Sequence, residues 1–108
     1  MIHDLAVVES PELIGNGTQV WRWTHIGYNA IIGYDCMIGA NVYVGPNVVV
    51  GDNTRIQNNC FIPERTVIGY NCFLGPSITI TNDRYPPSNK KDSVVIGNNV
   101  VIGAGCVL

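Results

Sequence analysis

One residue in six sets the terms for this chain. From Ile2 onward, every sixth position is Ile, Val or Leu: Val8, Ile14, Val20, Ile26, Ile32, Ile38, Val44, Val50, Ile56, Ile62, Ile68, Leu74 and Ile80. The phase breaks after Ile80 and resumes, shifted, at Ile96, Ile102 and Leu108. A period of six is neither the 3.6 of an amphipathic helix nor the two of a half-buried strand. A short fixed period marks a solenoid, in which each unit buries its apolar side only by stacking on its neighbours.

The other positions agree. Calling the aliphatic residue i, position i+1 holds ten of the twelve glycines, among them Gly15, Gly27, Gly45 and Gly103. Position i+3 holds Gly17, Asn29, Asp35, Asn41, Asn47, Asn53, Asn59, Asn71, Asn99 and Gly105. Gly, Asn and Asp tolerate a left-handed backbone, so i+3 is a turn position. Position i+4 takes small or β-branched residues such as Thr18, Ala30, Val42 and Thr54. Two inward positions, a short strand and a corner every six residues describe a solenoid.

Composition narrows the class. The chain has 108 residues, a length for one domain, and 46% of them are hydrophobic, which excludes a disordered segment. No apolar run approaches the roughly 18 residues of a membrane span, and no basic n-region with an apolar h-region marks a signal peptide. A net charge of −2, with no basic cluster beyond Lys90–Lys91, argues against nucleic acid or an anionic membrane as partner.

The pattern [Ile/Val/Leu]-Gly-x-Asn-[small]-x, carried over nearly the whole chain, resembles the hexapeptide-repeat family. The resemblance implies an all-β fold, a left-handed parallel β-helix in which three hexapeptides make one triangular coil. It also implies a homotrimer, with sites between subunits. Residues 1–108 then form a single β-helix domain. Cys36, Cys60, Cys72 and Cys106 all take the inward i+4 position. Coils lie roughly 4.8 Å apart, so a disulfide between neighbours needs cysteines three hexapeptides apart, and no pair meets this. Reduced core thiols without a signal peptide place the chain in the cytoplasm. Zinc enzymes of the γ-carbonic-anhydrase type share this fold and hold their metal on three histidines. This chain has two, so no metal is expected.

Departures from a local rule point to function. Stacking three hexapeptides to a coil places Trp21, Gly39, Gln57 and Gly75 in one column. Trp23, Asn41, Asn59 and Ser77 form the next, and His25, Tyr43, Phe61 and Thr79 form an outward one. On the third face Pro63 stands where Gly is expected, Glu64 follows, and Arg65 stands where Asn is expected. A loop from Asn82 to about Val95 is the one insertion, and such an excursion from a rigid scaffold is where function sits.

A narrower resemblance rests on four stretches: Val20-Trp21-Arg22-Trp23-Thr24-His25-Ile26, Arg55-Ile56-Gln57-Asn58-Asn59, Phe73-Leu74-Gly75-Pro76-Ser77, and Thr81-Asn82-Asp83-Arg84-Tyr85-Pro86. These look like sugar-nucleotide N-acetyltransferases, which acetylate the 3-amino group of UDP- or dTDP-linked amino sugars. The resemblance places Asn82 beside the reacting amine, with Asp83 binding sugar and His25 the general-base candidate. Glu64, Gln57, Arg84 and Tyr85 are candidate substrate contacts, and acetyl-CoA runs along the corner Gly103–Ala104–Gly105. Where the family reads Arg-Ser after the proline, this chain has Pro87-Ser88. His25 lies three coils below Thr79, roughly 14 Å away at the strand spacing, so its place in catalysis, ligand binding or subunit packing stays open. Trp21 and Trp23 are open to a nucleotide base or to a subunit contact. Family members continue for several coils beyond the point matching Leu108, so a chain lacking C-terminal coils is expected. Two alternatives stand beside the transferase: a non-catalytic trimerisation scaffold, and an acyltransferase using His25 on a different acceptor.

Overall fold

The computed structural model describes residues 1–81 and 93–108, where the six-residue rhythm becomes thirteen two-residue strands. They are β1 (Val7–Val8), β2 (Gln19–Val20), β3 (His25–Ile26), β4 (Ile31–Ile32), β5 (Met37–Ile38), β6 (Tyr43–Val44) and β7 (Val49–Val50), followed by β8 (Arg55–Ile56), β9 (Phe61–Ile62), β10 (Val67–Ile68), β11 (Phe73–Leu74), β12 (Val95–Ile96) and β13 (Val101–Ile102). Successive strands go to three different parallel sheets: β1-β3-β6-β9, β4-β7-β10-β12 and β2-β5-β8-β11-β13. Paired strands stand three hexapeptides apart, so His25 lies over Val7 and Tyr43 over His25. The result is an all-β parallel solenoid. A 3-10 turn at Pro11–Leu13 is the single helical element among the described residues, none of which forms a helix long and apolar enough to cross a membrane.

Each strand turns one residue out and one in. The inward i residues Val20, Ile26, Ile32, Ile38, Val44, Val50, Ile56, Ile62, Ile68, Leu74 and Ile80 are all buried, and the i+4 residues between them complete the core. The outward residues name the faces: His25, Tyr43 and Phe61 on the first sheet, Ile31, Val49, Val67 and Val95 on the second, and Met37, Arg55 and Phe73 on the third.

The corners explain the rest of the repeat. From Gly17 onward every described i+3 residue has positive φ, from 55° at Asn71 to 65° at Arg65 among the non-glycines. This conformation turns the amide toward the preceding coil: Asn41 N–H donates to Arg22 O at 3.1 Å, and Asn59 N–H to Ala40 O at 3.1 Å. Strand amides donate the other way, as His25 N–H does to Val42 O at 2.9 Å. Neighbouring coils thereby satisfy each other's backbone groups. Glycine at i+1 answers a different need. A Cβ on Gly45 would stand 2.5 Å from Glu64 N, and one on Gly51 would stand 2.6 Å from Tyr70 N. The space is already filled by the backbone above.

Buried threonines at i+4 fasten corners from inside. Thr54 Oγ1 donates to Gly69 O at 2.7 Å and accepts Cys72 N–H at 3.2 Å. Thr18 and Thr24 do the same for the corners opening at Gly33 and Gly39. Two corners with no threonine one coil below close on themselves with longer bonds, Ala30 N–H to Gly27 O at 3.3 Å and Thr66 N–H to Pro63 O at 3.4 Å. The thiols imitate the hydroxyls: Cys36, Cys60 and Cys72 point Sγ at Gly51 O, Gly75 O and Gly97 O over 3.0–3.2 Å. All four cysteines are free, and Thr54 stands between Cys36 and Cys72 in the stack.

The insertion is narrower than the sequence implies. Tyr34 N–H reaches Asp52 Oδ1 in the next coil across a sequence separation of 18, whereas the equivalent bond from Tyr70 N–H to Asn98 Oδ1 spans 28. The difference is a net insertion of ten, and Val67 accordingly pairs with Val95. Val94 already packs on the core and its carbonyl accepts Val67 N–H at 2.9 Å. The coil is regained at Val94, inside the expected 82–95 loop.

Two outcomes follow for stability. Thr54→Val keeps the shape but leaves Gly69 O and Cys72 N–H unpaired, and chemical denaturation is expected to show a loss of about 1–3 kcal/mol. Burial raises the Cys36 and Cys60 thiols above their ordinary value of 9.0, against smaller opposing hydrogen bonds. The folded chain therefore keeps protons that the unfolded chain releases, so this contribution is present below pH 9.0 and is lost as pH rises above it. Unfolding midpoints measured from pH 8 upward are expected to fall past that point, and to fall less in a Cys36→Ala/Cys60→Ala variant.

Candidate functional site

Three corner columns run the length of the stack, and they are not alike. One is regular in every coil: Gly15–Asn16–Gly17, Gly33–Tyr34–Asp35, Gly51–Asp52–Asn53, Gly69–Tyr70–Asn71 and Gly97–Asn98–Asn99. The other two flank the His25 face. The first of these stacks Trp21–Trp23, Gly39–Asn41, Gln57–Asn59, Gly75–Ser77 and Gly103–Gly105. The second stacks Gly27–Asn29, Gly45–Asn47 and Pro63–Arg65, with Thr81 next above Pro63. Beyond the first coil, every described departure from the corner rule falls on these two edges: Trp21, Trp23, Gln57 and Ser77 on one, Pro63, Arg65 and Thr81 on the other.

The candidate residues follow the same division. His25 lies on the face, Gln57, Gly103, Ala104 and Gly105 on its first edge, and half-buried Glu64 on its second. None lies on the regular edge. Asn82, Asp83, Arg84 and Tyr85 lie outside the described residues. The structure thus brings Gln57 and the Gly103–Gly105 corner into one column and separates them from Glu64 by the width of a face. The corner Gly103–Gly105 is exposed, with Gly105 at φ 73° and its N–H given to Pro76 O at 2.9 Å.

On the face, His25 Nε2 lies 2.6 Å from Glu9 Oε2. The ring meets Tyr43 edge-on with centroids 5.6 Å apart, and Tyr43 stacks on Phe61 at 5.2 Å. The side chains of His25 and Glu9 are 46% and 45% exposed, so solvent screens the pair and its worth to stability is about 0–1 kcal/mol. Its effect is orientation. A neutral imidazole that donates Nε2–H to Glu9 keeps Nδ1 as its lone pair, the arrangement of an oriented general base. Sequence reasoning missed Glu9, which replaces glycine at i+1 but reaches His25 on a diagonal, outside the vertical column that the repeat defines. Among the described residues no group of three His, Cys, Asp or Glu side chains is placed to hold a metal ion.

The lower part of the first edge carries a second cluster. Trp21 is half-buried, Trp23 is 64% exposed, and the Arg22 guanidinium stands 5.9 Å from the Trp23 ring centroid. Trp23 holds φ 61° where the rule supplies Asn. A left-handed backbone costs an ordinary L-residue about 1–2 kcal/mol, and an indole this exposed regains little of it by burial. A groove of about 380 Å³ runs from the two indoles past Met37 and Ala40 to Asn58. A larger hollow of about 520 Å³ lies at the foot of the regular edge, between Leu13 and Asp52, and contains none of the candidate residues. Trp23→Asn is expected to stabilise the fold by about 1 kcal/mol, read as a higher denaturation midpoint, with no change in far-ultraviolet circular dichroism.

Comparison with known proteins accords with this architecture. Residues 22–84, more than half the chain, match the family described as the GMPPB C-terminal domain. Residues 92–108 match the family described as the hexapeptide repeat of succinyl-transferase. Among curated proteins, none matches the chain closely enough to count as a relative.

Proposed function

The chain belongs to the family of the GMPPB C-terminal domain, a hexapeptide-repeat β-helix, and on that scaffold we propose an acetyl-CoA-dependent N-acyltransferase. Its acceptor is the 3-amino group of a UDP- or dTDP-linked amino sugar. The observation that carries this reading is the confinement of the irregular corners to the two edges of one face, together with His25, Gln57, Glu64 and Gly103–Gly105. A scaffold serving only to stack has no physical reason to break two edges and spare the third.

The reaction is attack of the sugar amine on the thioester carbonyl. A C–N bond forms, the C–S bond breaks, and the amine proton passes to the leaving thiolate, giving free CoA. A free amine is already a good nucleophile, so the enzyme's task is to place it and to stabilise the oxyanion. In this reading Asn82 accepts from the amine and holds it in line, since an amide is no strong base. Asp83 and Glu64 take sugar hydroxyls, and Gln57, Arg84 and Tyr85 contact the substrate. His25, oriented by Glu9 and three coils below Thr79, serves as a ligand-binding or packing group at the contact between subunits. The Gly103–Ala104–Gly105 corner lines the acetyl-CoA path. The reaction takes place in the cytoplasm, where the free thiols of the core stay reduced. The working form is a homotrimer, supported by the apolar outward row Ile31, Val49, Val67 and Val95, each at least 37% exposed.

A second reading, a β-helical module without catalysis, is favoured by the match to a family described as a C-terminal domain. A thiol-release assay with acetyl-CoA and UDP- or dTDP-3-amino sugars separates the two. The transferase is expected to release one CoA per amide formed while sedimenting as three chains. Asn82→Ala is expected to lower turnover roughly 100-fold by misplacing the amine. No release with any such sugar, joined to no CoA binding by calorimetry, leaves the module.

A further inference from the structure

We propose that the Trp21–Arg22–Trp23 corner is a nucleoside diphosphate site, taking the base and diphosphate of the sugar nucleotide. It rests on the transferase reading above for the identity of that ligand, while the geometry stands apart from it. Two of the three corner residues are indoles in places that the repeat gives to glycine and asparagine. Trp23 keeps its left-handed backbone while its ring stays largely in solvent, so packing within the chain does not account for it. Strain of this kind collects at ligand sites.

The chemistry of the groove selects the ligand. Its wall is aromatic and apolar, from Trp21, Trp23 and Met37, and Ala40 one coil above leaves room over the rings. A planar base stacks on an indole without needing a particular hydrogen-bond pattern. Arg22 stands at the same corner and lines the groove, and among the described residues no carboxylate does. Guanidinium groups bind diphosphate oxygens in a bidentate fashion. An apolar segment laid here would instead bury Arg22 with no partner, at a net cost. A ligand that is planar at one end and dianionic beside it matches both halves of the groove.

The two tryptophans of the chain both lie in this corner, so intrinsic fluorescence reports on it directly. The full chain is titrated with UDP, dTDP and CoA, followed by Trp23→Asn and Arg22→Gln. Saturable quenching by UDP or dTDP is expected, with Kd at least 10-fold weaker in Trp23→Asn. In Arg22→Gln binding weakens and its salt dependence becomes shallower. Trp23→Asn binding UDP and dTDP like the parent chain overturns the proposal, as does the absence of quenching at millimolar nucleotide. CoA displacing UDP and dTDP assigns the corner to the coenzyme and overturns it too. A change in sedimentation on Trp23→Asn, with nucleotide affinity intact, makes the corner a contact between chains. The thiol-release assay separates this proposal from the transferase reading. Turnover with an unchanged sugar-nucleotide KM in Trp23→Asn removes the corner site and leaves the transferase. Nucleotide binding that depends on Trp23, without any thiol release, keeps the site and removes acetyl transfer.

Discussion

Everything in this molecule depends on how closely one coil's corner lies against the next. At Gly15, Gly45 and Gly51 an added Cβ would meet backbone of the coil above at 2.5–2.6 Å, a separation that side-chain carbons do not adopt. The missing Cβ lets the coils settle to hydrogen-bonding distance. The left-handed residue two positions later then turns its amide back to the coil below. Each corner thus serves the coils on both sides of it. Stability is a sum of such neighbour contacts, as in other solenoids, and the buried threonines add a third layer by fastening the next corner from within.

That economy also creates the opportunity for function. The second and third positions of a corner face outward on a backbone set by the stack, so substitutions there alter chemistry without moving the frame. The regular edge, with glycine at i+1 in all five coils, shows what the frame alone requires. The two edges beside the His25 face show what it tolerates. Trp21 and Gln57 alternate with Gly39 and Gly75, so each of these two side chains has a glycine corner directly above it. The alternation makes room for large groups in a column otherwise closed to them.

Much of the fold was legible because the repeat is a local rule enforced at every coil. The inward positions read from the six-residue phase are the buried ones, from Val20 to Ile80. The left-handed positions read from Gly, Asn and Asp have positive φ, and the rule carries even Trp23, Arg65 and Ser77 into that conformation. The columns of Trp21, Trp23 and His25 follow from a fixed coil of three hexapeptides. The site was less legible. Glu9 meets His25 off the column, and that contact depends on the reach of two side chains, which no period encodes. The net length of the insertion is visible only in the register of Val95 on Val67.

The sequence alone determined the class of fold, the core, the turn positions and the residues that break the rule, because each is a property of a six-residue unit. Only the tertiary structure decided which column the coils after the insertion rejoin. It placed the Gly103–Gly105 corner, out of phase in sequence, in the column of Trp21 and Gln57, and it set Glu64 across the His25 face from them. The physical reason is that a unit's own six residues dictate its bend. The surface it joins depends on how many residues the chain spends before each coil closes on the one below.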